Sequence, residues 1–172
     1  VIKMNNKILI LGKGFIGERL QKEFGCGISG EPIKSFAGAL KIIKRYNPKI
    51  IINCIGVTGK RNVDDCELQK DKTLLANSFL PLILAELCLR NNIKLVHISS
   101  GCIYHYDYKK GGPISESRIP DYLDLFYSRS KIYSDLALEV LSRKFNILIA
   151  RIRVPLLNQP HPKNILDKLI NY

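Results

Sequence analysis

The stretch YSRSK sets Tyr127 and Lys131 four residues apart, and on a helix that spacing projects both side chains from one face. A phenol beside an ammonium is a proton-transfer pair, because the positive charge favours tyrosinate and lowers the phenol's pKa toward the working range. Upstream, SSGCIYHYD closes an apolar run with Ser99 and Ser100 and then places the thiol of Cys102. Ser100 stands at the C-terminal end of an expected parallel strand, where open α/β sheets bind ligands. Its hydroxyl is suited to hold the substrate oxygen that Tyr127 protonates; Ser99 competes for that role. Each feature also has a bland reading: a half-buried tyrosine next to a solvated lysine, and a cysteine acting as a small buried hydrophobe.

GKGFIG, Gly12 to Gly17, matches G-x-G-x-x-G between an expected strand and an expected helix. Gly12 permits the tight turn, Gly14 lets the backbone approach a pyrophosphate, and Gly17 allows close helix–strand packing. The helix start at Phe15 and Ile16 supplies N–H donors. In this position the motif reads as a dinucleotide site. An oxidised nicotinamide there adds its charge to that of Lys131 in favouring tyrosinate, and Lys131 can also hydrogen-bond the nicotinamide ribose. GCGISGEP offers Glu31 as an acceptor for the adenosine ribose and no arginine for a 2′-phosphate, with Lys34 as an alternative. NADP(H) and NAD(H) therefore both stay open. GVTG (Gly56 to Gly59) is expected to wrap the adenosine or pyrophosphate side through Gly56 and Val57, and Asp64 to cap the helix that follows. Asn53 and Asn77 complete this cofactor set, although Asn53 reads equally as a tie between strands. Asn77 reads as a helix-ordering amide, a holder of a proton-relay water, or a buried structural group. His97 falls within an apolar strand and is expected in the core; His105 and His161 lack metal partners.

Positioning these groups requires strands that end near one another. KILIL, KIIINC, KLVHIS and ILIARIR are short apolar runs separated by helical patterns, the signature of a parallel sheet covered on both faces. The expectation is an α/β, doubly wound, Rossmann-like domain over residues 1–172. Ser35 is expected to cap a helix with Phe36, Leu40 and Ile43 inward and Asn47-Pro48 at its end. Pro81 should interrupt a long helix over 71–91, and a helix from about Asp124 to Arg143 should bury Ile132, Leu136 and Val140. The chain has 172 residues, 46% hydrophobic and 24% charged, an ordinary globular composition. No run approaches the roughly 18 unbroken apolar residues of a membrane span, so no membrane partner is expected and the cytoplasm is the expected compartment. Five cysteines without C-x-x-C pairs suit a reducing compartment. A net charge of +12 could serve a polyanion. However, the basic residues are scattered and not interleaved with aromatics, so nucleic acid is not expected and a small phosphorylated ligand is.

Together GKGFIG, the Ser99-Ser100 strand end and Tyr127-x-x-x-Lys131 resemble the extended short-chain dehydrogenase/reductases. GVTGKRNVDDCE, GCIYHYD, FYSRSK and RIRVP followed by PKN narrow the resemblance to the nucleotide-sugar 3,5-epimerase/4-reductases of UDP-L-rhamnose synthesis. More distantly the chain is similar to the dTDP-4-dehydrorhamnose reductases, which lack the cysteine. The resemblance implies NADP(H)- or NAD(H)-dependent conversion of UDP-4-keto-6-deoxy-D-glucose, with Cys102 and Lys168 as the epimerisation acid/base pair and Ser100, Tyr127 and Lys131 serving the reduction. Substrate contacts are then Ser100, Cys102, Tyr127 and Asn164, with a homodimer as an open option. The chain departs from the family in a glycine loop one residue shorter than the plant form and in lacking most of the small C-terminal substrate domain, so it reads as the N-terminal part of a longer protein. Chemistry supports the pairing: a C4 ketone acidifies C3 and C5 and accepts hydride at C4. In an extended segment Ser100 and Cys102 share a face. A 4-reductase alone and a non-catalytic cofactor-binding partner subunit are the rival functions.

Overall fold

In the computed structural model, residues 5–60, 62–107, 109, 111–156, 159–161 and 164–170 are described, without the side chains of Asn5, Asn6 and Lys168. The apolar runs form five parallel strands: β1 (Asn5–Leu11), β2 (Cys26–Ser29), β3 (Ile50–Asn53), β4 (Lys94–Ser100) and β5 (Ile147–Ile152). Their order is β2-β1-β3-β4-β5. The order reverses between β1 and β3, which opens a crevice beyond their C-terminal ends. Alternate residues of β1 face opposite ways, as pleating requires. Leu9 and Leu11 join Ala39, Ile42, Leu84, Leu95 and Leu138 in the larger core, and Ile10 packs with Cys26, Ile52 and Leu20 on the other face.

Among the described residues there are six α-helices. α1 (Phe15–Phe24) follows the glycine turn, and α2 (Phe36–Tyr46) is capped by Ser35, whose Oγ accepts the Gly38 N–H at 3.1 Å. α2 buries Ala39, Ile42 and Ile43 with Leu40 packed beside them, so the expected stripe holds at Leu40 and Ile43, while Phe36 is exposed. After β3 a 3-10 turn (Val63–Leu68) is capped by Asn62, which accepts the Asp64 N–H, so Asp64 is not the cap. α3 (Lys70–Leu74), a π segment (Leu75–Phe79) and α4 (Leu80–Arg90) form one continuous rod. This rod of 21 residues holds an 18-residue window of mean hydropathy 1.4, long and apolar enough to cross a membrane; half of that window is buried in the protein, as befits a core helix.

Pro81 sits in the first turn of α4, and the irregularity falls just before it. Proline has no N–H for the carbonyl four residues earlier, that of Asn77. Ser134 Oγ donates to that carbonyl instead, at 2.8 Å.

α5 (Phe126–Ser142) corrects the expected stripe most clearly, since Leu136 and Val140 are 43% and 65% exposed. Ile132 is buried as expected, and the rest of the buried face is Tyr127, Ser128, Ser130, Lys131, Ser134, Asp135 and Leu138. Polar side chains line it because they bond to the rod and to β4 rather than to water. α6 (Ile165–Ile170) ends the described chain.

Candidate active site

The glycine turn meets the crevice. Gly12 has φ +103 and lies so close to β3 that a Cβ would be 2.9 Å from the Cys54 carbonyl carbon, and only glycine accepts both conditions. A Cβ on Gly17 would overlap the Gly12 carbonyl oxygen. On Gly14 it would meet nothing within 4 Å, so the helix start there is open to a ligand. The crevice is a cavity of about 650 Å³ lined by Gly12, Gly14, Glu31, Cys54, Gly56 and Val57, among others. This fits a dinucleotide: backbone N–H groups at one end and a long apolar trough beyond. Phe15 stands beside it, its ring 4.6 Å from that of His161, and Ile16 follows in the first turn of α1. At the far end Glu31 is paired with Arg45 at 2.5 Å. Its carboxylate thus already has a partner, and the arginine missing from the GCGISGEP segment comes from α2. Lys34 lines the same end.

Asn77 and Asn53 work behind this surface. Fully buried, Asn77 accepts the Val57 N–H at 2.8 Å through Oδ1 and donates through Nδ2 to the Val57 carbonyl and to Ser130 Oγ, both at 3.0 Å. It clamps the Gly56-Val57 loop to α5. Asn53 lies 3.1 Å from His97 Nδ1 and accepts the Ile55 N–H, which is the strand tie that its sequence allowed. Burial takes the His97 pKa down to about 3, with Lys131 adding to the effect; it is a neutral core imidazole.

The two serines divide their tasks. Ser99 Oγ donates to Asp135 Oδ1 at 2.6 Å and is turned away from the crevice. Ser100 Oγ accepts the Cys102 N–H at 3.1 Å and hydrogen-bonds the Tyr127 phenol. The chain leaves the strand at Ser100 and turns at Gly101, so the shared face of an extended segment does not apply. Instead a turn brings Cys102 back: Ser128 Oγ donates to its carbonyl at 2.6 Å, and its thiol is near enough to act on the Tyr127 phenol electrostatically.

Tyr127 differs from expectation in its acidity. Burial raises its pKa, partly opposed by the Ser100 hydrogen bond. The phenol is therefore held protonated. Lys131 is 4% exposed and its pKa falls to about 8 through burial, against the attraction of Asp135 and Cys54. Its Nζ donates to the Ile98 carbonyl at 3.4 Å and lies 3.3 Å from where a Gly56 Cβ would be. The ammonium thus borders the Gly56-Val57 loop. Asp135, itself buried, is bound by Arg151 Nε at 2.9 Å.

Asn164 is 2% exposed and donates its N–H to the His161 carbonyl. Lys168 falls on α6, but its side chain, like Pro162 and Lys163, lies outside the described residues. Among the described residues no cluster of metal ligands occurs. The sequence reading passed over Asp135, Ser128, Ser130, Ser134, Arg45 and Glu67. The first four had a signal, since Ser130, Ser134 and Asp135 recur with Tyr127 and Lys131 at helical spacing and Ser128 follows Tyr127 directly.

Comparison with known proteins finds relatives over nearly the whole chain and solved structures of the same fold. A trifunctional UDP-glucose 4,6-dehydratase/UDP-4-keto-6-deoxy-D-glucose 3,5-epimerase/UDP-4-keto-L-rhamnose-reductase of Arabidopsis thaliana is 31% identical over 185 residues, 99% of this chain and 27% of the relative. The UDP-rhamnose synthase of Acanthamoeba polyphaga mimivirus superposes with a TM-score of 0.84 at 22% identity, over 96% of this chain and 62% of that one. A dTDP-4-dehydrorhamnose reductase of Bacillus anthracis, in complex with NADP, gives 0.79 at 21% identity, over 95% of this chain and 58% of that one. The chain thus spans 27 to 62% of the length of these relatives. Residues 6–172 match the family described as the RmlD substrate binding domain, and the chain belongs to that family.

Proposed function

We propose that this chain provides the cofactor crevice and catalytic wall of an NADP(H)-dependent 3,5-epimerase/4-reductase that converts UDP-4-keto-6-deoxy-D-glucose to UDP-L-rhamnose. The observation that carries this reading is the grouping of Ser100, Cys102 and Tyr127 at the end of β4: a hydroxyl, a thiol and a protonated phenol tied by the Ser100 and Ser128 hydrogen bonds. The first relative carries both the epimerase and the reductase in its name, and the Bacillus anthracis structure holds NADP. NAD(H) is the alternative cofactor.

Bound in the crevice, the reduced nicotinamide supplies hydride for C4. The residues of this chain do the proton work. Removal of a proton from C3 or C5 of the keto sugar leaves an enolate on O4, and the hydroxyls of Ser100 and Tyr127 are the donors for that charge. The same donors serve O4 during reduction, when Tyr127 gives up its proton and the nearby Lys131 ammonium stabilises the phenolate left behind. Cys102 and Lys168 exchange protons at the carbons beside the ketone, one taking and the other giving.

Incubation of the whole protein with UDP-4-keto-6-deoxyglucose in D₂O tests this. Deuterium at C3 and C5 without cofactor oxidation is expected, followed by reduction once NADPH is added. Reduction without label indicates a 4-reductase alone. Neither activity, with tight cofactor binding, indicates a partner subunit. Cys102→Ala is expected to lose the label and keep reduction of a pre-epimerised sugar; persistent label overturns the role given to Cys102.

A further inference from the structure

α5 carries Tyr127 in its first turn, yet it begins on Leu125 with no side-chain cap and no acidic residue in that turn. The N–H groups of a helix start need acceptors from elsewhere. Glu67, 59 residues earlier in the chain, supplies one: its Oε1 accepts the Phe126 N–H at 2.8 Å. The same carboxylate is bound by Arg129 at 3.5 Å and Lys70 at 3.2 Å. Both cations also lie over the Phe126 ring, at 5.4 and 5.7 Å. The Phe126 N–H and Lys70 hold the Glu67 carboxyl below its ordinary range, so it remains an acceptor at neutral pH.

Glu67 stands in the 3-10 turn that follows Gly56 and Val57, which line the crevice. This stretch grips α5 twice. At the front Glu67 holds Phe126, and at the back the Asn77 clamp joins Val57 to Ser130. We propose that Glu67 is a positioning residue for the reaction: it fixes the first turn of α5, and with it the Tyr127 phenol, to the loop that borders the cofactor. The kinetic part of this proposal rests on the reductase reading above; the cap does not. A helix start freed of its acceptor samples open conformations, and a small displacement of a catalytic phenol is costly in rate.

The test compares wild type, Glu67→Ala and Glu67→Gln in the whole protein, by amide hydrogen exchange without substrate and by steady-state reduction. In Glu67→Ala the Phe126 amide should exchange about fivefold faster. Turnover should fall about tenfold or more while the KM for NADPH stays within about twofold. Glu67→Gln keeps an amide oxygen for Phe126 and should return both to within about threefold of wild type. Unchanged Phe126 protection in Glu67→Ala overturns the proposal, as does failure of Glu67→Gln to rescue. A Glu67→Ala protein that does not fold assigns Glu67 a purely structural role and overturns it too. If wild type does not reduce the keto sugar, the reductase reading fails, and the exchange data alone decide the cap.

Discussion

Lys131 combines a buried ammonium with a pKa lowered to about 8 from 10.5, chiefly by loss of water. At about 1.4 kcal/mol per pH unit, that difference is a folding cost of about 3 kcal/mol. Below pH 8 the folded and unfolded chains both hold the proton, and the whole cost is present. Between pH 8 and 10.5 the folded chain releases its proton first, the unfolded chain binds more protons, and stability rises with pH. Above 10.5 the cost is gone. Lys131→Met keeps the length of the side chain and removes the charge, so the variant lacks this rise. The groups facing Lys131 are the Asp135 carboxyl, the Cys54 thiol and the His97 imidazole. Of these only Cys54, whose pKa burial raises to about 12, is uncharged yet titratable above the window. Urea unfolding of both proteins at pH 7 and near pH 10.5 measures the effect, since other lysines and tyrosines cancel in the difference. The stability gap between variant and wild type is expected to close by about 3 kcal/mol as pH rises. A gap constant within about 0.5 kcal/mol would refute the reasoning, because it means that Lys131 titrates as it does in the unfolded chain. The expected stability gain at neutral pH comes with loss of reduction, the exchange seen where a functional site stores unfavourable burial.

Gly14→Ala should leave the cofactor-free protein within about 1 kcal/mol of wild type, since its Cβ meets nothing within 4 Å. It should weaken NADPH binding at least about tenfold by fluorescence titration, because on the proposed reading that space takes the pyrophosphate; unchanged affinity would show that the cofactor lies elsewhere. Gly17→Ala, whose Cβ overlaps the Gly12 carbonyl, should lose both stability, by about 1–3 kcal/mol, and binding. Arg151→Met strands the buried Asp135 carboxylate, now 2.9 Å from Arg151 Nε, and should cost about 3–5 kcal/mol at pH 7 in urea melts. In that variant the folded-state pKa of Asp135 lies above the unfolded one, so the loss should shrink as pH falls. A loss independent of pH would assign the effect to packing alone.

The strands were legible because both faces of a parallel sheet exclude water and leave unbroken apolar runs. The glycine turn was legible because backbone sterics dictate its spacing. The face of α5 was legible only at Ile132, which is buried, since Leu136 and Val140 continue the periodicity of a core stripe yet are exposed while much of the core side is polar. The rule that apolar faces point inward fails where a helix packs through hydrogen bonds to Asn77, Ser99 and Arg151. Cys102 was placed near Ser100, but by a turn at Gly101 rather than by strand alternation. The acidity of Tyr127 depended on burial that spacing does not report. Glu67 and Arg45 reach their partners across the fold, and no local pattern in the sequence encodes such contacts.

The substitution of Ser134 for the missing proline donor has a wider consequence. Ser78 Oγ donates to the Ser130 carbonyl at 2.6 Å, Ser134 Oγ to the Asn77 carbonyl at 2.8 Å, and Asn77 Nδ2 to Ser130 Oγ at 3.0 Å. Leucines at such an interface could slide by a fraction of a turn and repack at modest cost. Directional bonds allow no such sliding, because any shift of α5 along the rod leaves several buried groups without partners, at about 1–3 kcal/mol each. The axial position of Tyr127 and Lys131 is therefore graduated like a scale by hydroxyl and amide pairs. The interruption that Pro81 imposes on one helix is thus one of the marks that sets the other.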